Sequence, residues 1–393
     1  MSSPLPVKSL LRARAPHTHT KVTYLELFFD LVFVFGVTQI SHFFLKNLTI
    51  EGGIQAGMMV LAVWWVWGFT SWVTNWLDPE KMPVRLFMFA LMLAGLVLST
   101  SVAEAFGDRG LIFAAAYMVM QVGRSLFTLF AVKNHSRSNY RNFIRITAWL
   151  SLSGVFWITG AFAEGPERMM IWGGALLIEY LGPISAFWVP GLGGTRTDEW
   201  DVEGAHMSER CALFIIIALG ESILVTGATF AHMAVTLPEI AAFLCAFVSI
   251  ASLWWIYFDA GADDGAAKIA ASEDPGKMAR LAYTYIHAVI VAGIILSAVG
   301  DEMVLAHASG HVDPIGIFVI LGGPALFLTG TLLFKRVISG RYPLSHVAGL
   351  GLTGALIFAA PFATPLLLAA LATGVLVLVA VWEKMSLRTR DCG

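Results

Sequence analysis

A series of long apolar stretches constrains this chain more than any other feature of its sequence. A helix needs about 20 apolar residues to cross a hydrocarbon core about 30 Å thick. Twelve stretches of about that length, separated by polar breaks, fit into the 393 residues. They run over residues 25–45, 56–77, 84–106, 111–132, 143–163, 169–189, 212–230, 240–258, 282–306, 315–334, 344–360 and 362–382. The pattern predicts an all-α polytopic membrane protein with twelve transmembrane helices.

The balance of apolar and charged residues agrees with this prediction. Hydrophobic residues make up 57% of the chain and charged residues 13%, whereas soluble globular proteins have about 45–50% and about 25%. These values exclude a water-soluble enzyme and a disordered chain. The 25 basic and 27 acidic residues give a formal net charge of -2, which excludes the basic surface of a nucleic-acid-binding protein. The three cysteines are isolated and indicate neither a disulfide framework nor a zinc or redox site.

Basic residues in the loops predict the orientation in the membrane, because short cytoplasmic loops collect Lys and Arg. With twelve spans, 21 basic residues fall on the side of the N-terminus and three on the opposite side, while Arg124 lies within a span. Both termini are therefore predicted to be cytoplasmic. The first apolar stretch contains Glu26 and Asp30, so we expect no cleaved signal peptide.

Several motifs occur twice in the same order, which predicts an internal repeat. The two sets match at offsets that grow slowly from 183 to 198. They are Glu26, Trp64-Trp65, Arg85, Leu98-Ser99 and Glu104, and Glu209, Trp254-Trp255, Arg280, Leu296-Ser297 and Glu302. Six helices in each copy give both copies the same orientation, so we expect two parallel six-helix repeats. The predicted parts are a basic N-terminal tail (1–23), the first repeat (24–190), a Gly-rich linker (191–208), the second repeat (209–383) and a C-terminal tail (384–393).

Short motifs along the whole chain resemble those of a known family. The first span opens with Tyr24-Leu-Glu-Leu-Phe-Phe-Asp30, and the second half contains His206-Met-Ser-Glu-Arg210 followed by Leu219-Gly-Glu-Ser222. Together with Trp64-Trp65 and the segment from Trp254 to Asp259, these motifs resemble the bacterial low temperature requirement protein A (LtrA) family. The resemblance implies a multi-pass protein of the bacterial cell (inner) membrane. It supplies no agreed substrate or reaction.

Ionisable residues within the spans are the candidate functional residues, because a charge at the centre of a span costs about 2.5–3.5 kcal/mol on insertion scales. The candidates for binding an ion or a substrate are Glu26, Asp30, Arg124, Glu179 and Glu221. Secondary candidates are His42, His206, Glu209, Arg210, Asp259 and His287. The positions of these residues indicate where a functional site lies, but they do not identify a substrate.

Each main candidate also has a purely structural interpretation. Glu26 and Asp30 lie four residues apart on one helix face and could form a cation or proton site. Alternatively, Glu26 reaches the membrane interface while Asp30 binds a neighbouring arginine. Glu221, beside Gly220, and Glu179, three residues before Gly182-Pro183, both lie near the middle of a span. Each could be an ion or proton ligand, or a protonated acid bonded to another helix. Arg124 is expected to neutralise one of these acids.

The sequence gives little support to metal or nucleotide chemistry. His206 and Glu209 have a spacing that could place two metal ligands on one helix face, but no third or fourth ligand joins them, so we predict no metal and no cofactor. The chain also lacks a Gly-x-x-x-x-Gly-Lys-Ser/Thr phosphate loop and a Gly-x-Ser-x-Gly nucleophile elbow.

The favoured hypothesis is a proton- or cation-coupled secondary transporter of a small solute or ion, with Asp30, Glu179, Glu221 and Arg124 sharing one site in the lipid bilayer. Two alternatives stay open. A cation channel is suggested by Phe28-Phe29-Asp30, and an intramembrane enzyme or lipid-binding envelope factor would use the carboxylates as acid and base. We do not expect an enzyme, and the sequence does not indicate the oligomeric state.

Overall fold

The computed structural model of the chain describes residues 9–12, 21–195, 203–233, 235–259, 268–269, 272 and 274–391, with side chains described up to residue 386. Helices account for nearly all of this part of the chain. It contains no β-strand and only two isolated bridges, Leu11 with Leu77 and Val189 with Gly193. The prediction of an all-α protein is confirmed.

Twelve long helices follow one another within the described ranges, and each overlaps one of the twelve predicted stretches. They are α1 (Tyr24–Lys46), α2 (Ile50–Trp76), α3 (Met82–Glu104), α4 (Gly110–Val132), α5 (Arg137–Ala161), α6 (Gly165–Ile184), α7 (Gly204–Ala231), α8 (Leu237–Phe258), α9 (Pro275–Ala306), α10 (Pro314–Ser339), α11 (Leu344–Phe362) and α12 (Pro365–Asp391). By length and composition, eleven of these described helices are apolar enough to cross a membrane. The remaining helix, α6, carries Glu167, Arg168 and Glu179 within 20 residues.

Polar side chains at helix starts explain why several helices are longer than the apolar stretches. Helix α7 begins at Gly204, within the predicted linker, and its first turns contain His206 and Arg210, both fully buried. Elsewhere ordinary capping signals set the ends. Ser136 accepts a hydrogen bond of 3.2 Å from the backbone N–H of Asn139 at the start of α5, and Gly340 ends α10 with a φ of 72°.

Two helices contain a π-helical segment directly before an ionisable candidate. In α4 the segment Val119–Gly123 precedes Arg124, and in α9 the segment Arg280–Ile286 precedes His287. A π segment adds a residue to a helical turn and so redirects the side chains that follow. Such segments are frequent at functional sites.

The chain divides into two compact units. Unit 1 comprises Met1–Gly36, Ala62–Met207 and Asp274–Gly276, and unit 2 comprises Val37–Leu61, Ser208–Glu273 and Lys277–Gly393. This division rests on contacts within the fold. The predicted boundaries at 24–190 and 209–383 rest on the sequence repeat, and they stay a prediction.

The two units have different kinds of core. In unit 1, large aromatic side chains of α4, α5 and α6 pack together, with ring centroids 4.6 Å apart for Tyr117 and Trp157 and 5.1 Å apart for Trp157 and Trp172. In unit 2, glycines bring α9 and α10 into backbone contact. A Cβ added at Gly293 would lie only 2.4 Å from the backbone nitrogen of Phe327. Close approach of this kind is typical of helix packing in membranes.

Candidate functional site

A capping box fixes the start of α1 around Glu26 in unit 1. The backbone N–H and the hydroxyl of Thr23 both donate to Oε2 of Glu26 at 2.9 Å, and the backbone N–H of Glu26 lies 3.4 Å from Oγ1 of Thr23. This arrangement satisfies N–H groups that the start of a helix otherwise leaves without partners. Glu26 is fully buried, so its carboxylate also needs a counter-charge.

Arg12 and His206 also contact the carboxylate of Glu26. The Arg12 guanidinium lies 3.0 Å from Oε2, and Nε2 of His206 lies 3.0 Å from Oε1. The amide nitrogen of Asn75 lies 3.4 Å from Nδ1 of His206, and the Arg12 guanidinium lies 3.4 Å from Nε2 of the same ring. Two predicted candidates, Glu26 and His206, therefore meet in one cluster.

Asp30 is bound by an indole in the same unit. It lies four residues beyond Glu26 in α1 and is fully buried. The N–H of Trp67 in α2 donates to its Oδ1 at 2.7 Å. The sequence suggested an arginine as the structural partner of Asp30, whereas this contact comes from a tryptophan.

Glu179, in α6, accepts hydrogen bonds from donors on two other helices of unit 1. Ser153 and Trp157 of α5 donate to Oε1 at 2.6 and 3.1 Å. Tyr117 and Gln121 of α4 donate to Oε2, the latter at 3.2 Å. Glu179 is 2% exposed, so these bonds replace the water that a carboxyl group loses on burial. The residue thus ties three helices together.

Arg124 reaches Glu179 only through an intermediate side chain. Its guanidinium donates to Oε1 of Gln121, and Nε2 of Gln121 donates to Glu179. It also donates to the backbone carbonyl of Val66 at 3.1 Å and to Oγ1 of Thr70 at 3.0 Å, both in α2. Among the described residues no carboxylate lies within ion-pairing distance of Arg124. Arg124 therefore makes no direct ion pair with Glu179 in the described structure, and Gln121, within the π segment of α4, links the two side chains.

Glu221 lines a small polar pocket in unit 2. It lies in the second half of α7, and Oγ1 of Thr38 in α1 donates to its Oε1 at 2.9 Å. The pocket lies between α1, α7 and α9. Its other polar lining residues are Ser41, His42, Ser222 and Glu302. One main candidate and one secondary candidate, Glu221 and His42, are thus brought to the same pocket.

The size and chemistry of this pocket limit what it can hold. About 20 Å³ is open to the centre of a water molecule. One buried water needs about 10–15 Å³ measured in this way. The pocket therefore has room for one or two waters or an ion of similar size, and none for an organic solute. Its two carboxylates and its hydroxyls are hard oxygen ligands suited to protons and small cations.

The remaining secondary candidates have separate places in unit 2. His287 lies 2.7 Å from the carbonyl oxygen of Ala282 through Nδ1, which must donate, and its Nε2 lies 2.9 Å from the hydroxyl of Tyr257. Asp259 binds Lys384 at 2.8 Å. Glu209 is exposed and Arg210 is fully buried. The described part of the chain has no group of three or more His, Cys, Asp or Glu that could hold a metal ion.

Comparison with known proteins identifies the family. The family model of the bacterial low temperature requirement A protein (LtrA) matches residues 21–381, from just before α1 into α12. The chain belongs to the LtrA family. An uncharacterized protein of Rhizobium meliloti (strain 1021) is 42% identical over 383 residues, which cover 95% of this chain and 93% of that protein. No solved structure is significantly similar to the chain.

Membership of the LtrA family confirms the resemblance drawn from the motifs, and with the apolar helices it makes the chain a multi-pass membrane protein of a bacterial family. The family motifs also coincide with the clusters described above. Asp30 and Glu26 come from the first motif, His206 from the second and Glu221 from the third. Asp30, Arg124 and Glu179 lie in unit 1 and Glu221 lies in unit 2, so their sharing of one cavity stays a prediction.

Several residues of these clusters were not among the sequence candidates. Thr38, Tyr117 and Gln121 are neutral polar residues that the count of charges passes over, and Arg12 was assigned to a loop. Glu302 entered the sequence analysis only as a member of the internal repeat. Thr23, which donates to Glu26, was also missed. The spacing of the two residues could have found it, because Thr23 and Glu26 form the Thr-x-x-Glu pattern of a capping box.

Proposed function

We propose that this LtrA-family protein is a secondary transporter that couples the movement of a small solute to protons or another cation. The observation that carries the proposal is the pocket in which Glu221 accepts a hydrogen bond from Thr38 beside His42 and Glu302. A carboxylate within an apolar spanning helix carries a high free-energy cost, and such residues commonly mark ion pathways. The small volume of the pocket fits the coupling ion rather than the solute.

Charge neutralisation supplies the coupling. When Glu221 is ionised, the pocket is polar and hydrated, and a helix rearrangement that closes it would bury a charge. A proton or a cation at Glu221 removes this obstacle, because a neutral site can move through the apolar environment at a lower cost. Occupation of the pocket would therefore decide whether the helices of unit 2 can change their packing.

The proposed topology has twelve spans arranged as two parallel six-helix repeats, with both termini in the cytoplasm and the protein in the bacterial inner membrane. The presence of twelve long helices in the described ranges supports this count, with α6 as the most polar span. The concentration of 21 basic residues on one side supports the orientation. Cysteine labelling from each side of intact vesicles tests both points.

Flux measurements on purified protein in proteoliposomes test the transport proposal. Solutes from a broad panel are offered with and without an imposed pH or cation gradient. We expect at least one saturable uptake that the gradient accelerates and that Glu221→Gln abolishes. Glu51→Gln is the control, because Glu51 is exposed and accepts a surface hydrogen bond of 3.1 Å from Gln55.

Other results would contradict the proposal in distinct ways. Non-saturating ion conduction in single-channel records would indicate a channel. A change in lipid composition with Asp30→Asn or Glu221→Gln, without any ion flux, would indicate an enzyme or a lipid-binding factor. Absence of gradient-dependent flux across the panel would count against transport itself.

A further inference from the structure

Unit 2 contains a second buried group of charged residues, which the proposed function does not use. Nζ of Lys335 in α10 donates to Oε1 of Glu383 in α12 and to the backbone carbonyl of Ile256 in α8, the latter at 3.3 Å. The side chains of Lys335 and Glu383 are 10% and 11% exposed. Burying an ion pair costs desolvation free energy, which is offset only if the remaining hydrogen-bonding atoms of the pair also find partners.

Within the described part of the chain, that condition is not met. Oε2 of Glu383 is buried and has no hydrogen-bond partner. The same holds for Nε2 of His346 in α11, a fully buried residue whose other ring nitrogen lies 3.2 Å from the hydroxyl of Ser345. The ammonium group of Lys335 lies near the imidazole of His346. Oε2 of Glu383 is thus a buried acceptor without a donor, and a proton bound to it would turn it into a donor.

The groups around this pair belong to every helix packed on it. Asp259, just after α8, binds Lys384 of α12 at 2.8 Å and forms a more exposed pair beside the first one. His287 of α9 contacts Phe334, next to Lys335, with ring centroids 4.8 Å apart. The titratable and charged groups near the pair are Asp259 after α8, His346 of α11 and Lys384 of α12, while Tyr283 and His287 of α9 contact the neighbouring Phe334.

We propose that Glu383 is a proton-binding site, with Lys335 as its counter-charge, whose protonation controls the link between α10 and α12. A proton from water adds to Oε2 of Glu383, and the carboxylate becomes a neutral acid. The ammonium group of Lys335 then faces a neutral acid, so its bond to Glu383 weakens while its bond to the Ile256 carbonyl stays. The narrow exposed edge of the pair provides the path for the proton. This site adds to the Glu221 pocket and does not rest on the proposed transport.

Infrared titration of the whole protein in lipid tests this inference without any knowledge of the solute. The absorption of protonated carboxyl groups is recorded against pH for the wild type, Glu383→Gln and the surface control Glu51→Gln. We expect Glu383→Gln to lack one titrating carboxyl that both other proteins show. Lys335→Met should move that titration to higher pH by about 1–3 units, because a nearby opposite charge favours the ionised form to that extent.

Folding of the variants is checked by size exclusion and thermal unfolding. Glu383→Gln keeps an oxygen for Lys335 to bind, and the double variant Lys335→Met with Glu383→Leu replaces the pair by apolar groups, which buried pairs often tolerate. Identical titrations of the wild type and Glu383→Gln would overturn the inference, and so would an unmoved titration in a folded Lys335→Met. Both results are independent of the flux that tests the proposed function.

Discussion

Replacing Glu179 should destabilise unit 1 far more than its single charge suggests. In Glu179→Leu, the indole N–H of Trp157 loses its acceptor, while Ser153 can turn to the carbonyl of Ala175, 3.3 Å away. Tyr117 also loses its acceptor. Each buried group left without a partner costs about 1–3 kcal/mol, so we expect a loss of about 3–5 kcal/mol in the free energy of unfolding. Glu179→Gln keeps one carbonyl oxygen and should cost about 1–2 kcal/mol.

Denaturant unfolding in mixed micelles, followed by tryptophan fluorescence, measures these losses. Glu167→Gln is the matched control, because Glu167 is an exposed carboxylate on the same helix and should change stability by no more than about 0.5 kcal/mol. A double-mutant cycle with Tyr117→Phe should give a coupling energy of about 0.5–3 kcal/mol with Glu179→Gln. If Glu179→Leu unfolds like the control, the carboxyl group does not tie the three helices together.

Three further substitutions test other contacts by the same unfolding measurement. Arg124→Lys should lower the free energy of unfolding by about 1–3 kcal/mol, because an ammonium group cannot reach Gln121 and two atoms of α2 at once. A stability equal to wild type would show that the several hydrogen bonds of the guanidinium are unimportant. Gly293→Ala should lose about 1–3 kcal/mol through its clash with Phe327, whereas Gly351→Ala, which has open space, should not; equal effects would contradict the close packing of α9 and α10. Trp67→Phe should lose about 1–3 kcal/mol by removing the indole donor from Oδ1 of buried Asp30, and an unchanged stability would mean that the indole bond is dispensable.

Apolar length predicted the helices well, because a spanning helix must cover its backbone with apolar side chains over a fixed thickness. It failed at polar helix starts. The turn containing His206 and Arg210 is helical and buried but carries no apolar signal, so α7 begins earlier than the apolar stretch indicates. Neither could the sequence predict the π segments, since no residue type marks them.

The sequence singled out charged residues within the spans but not the neutral residues that contact them. Charges in an apolar stretch stand out in a sequence, and all five main candidates lie in polar contacts within the fold. Their partners are mostly neutral groups such as Trp67, Gln121 and Thr38, which look like ordinary residues of a span. Lys335 and Glu383 lie just outside the apolar stretches 315–334 and 362–382 and were not candidates, and only the packing of α10 against α12 shows that they are buried together.

The central claim is that Glu221 binds the coupling ion, and proton movement into proteoliposomes tests it most directly. A pH-sensitive dye inside the vesicles reports the proton flux that follows addition of a transported solute. We expect a flux with the wild type and with Glu51→Gln, a strongly reduced flux with Thr38→Val, and no flux with Glu221→Gln. A folded Glu221→Gln variant that moves protons as fast as the wild type would contradict the claim.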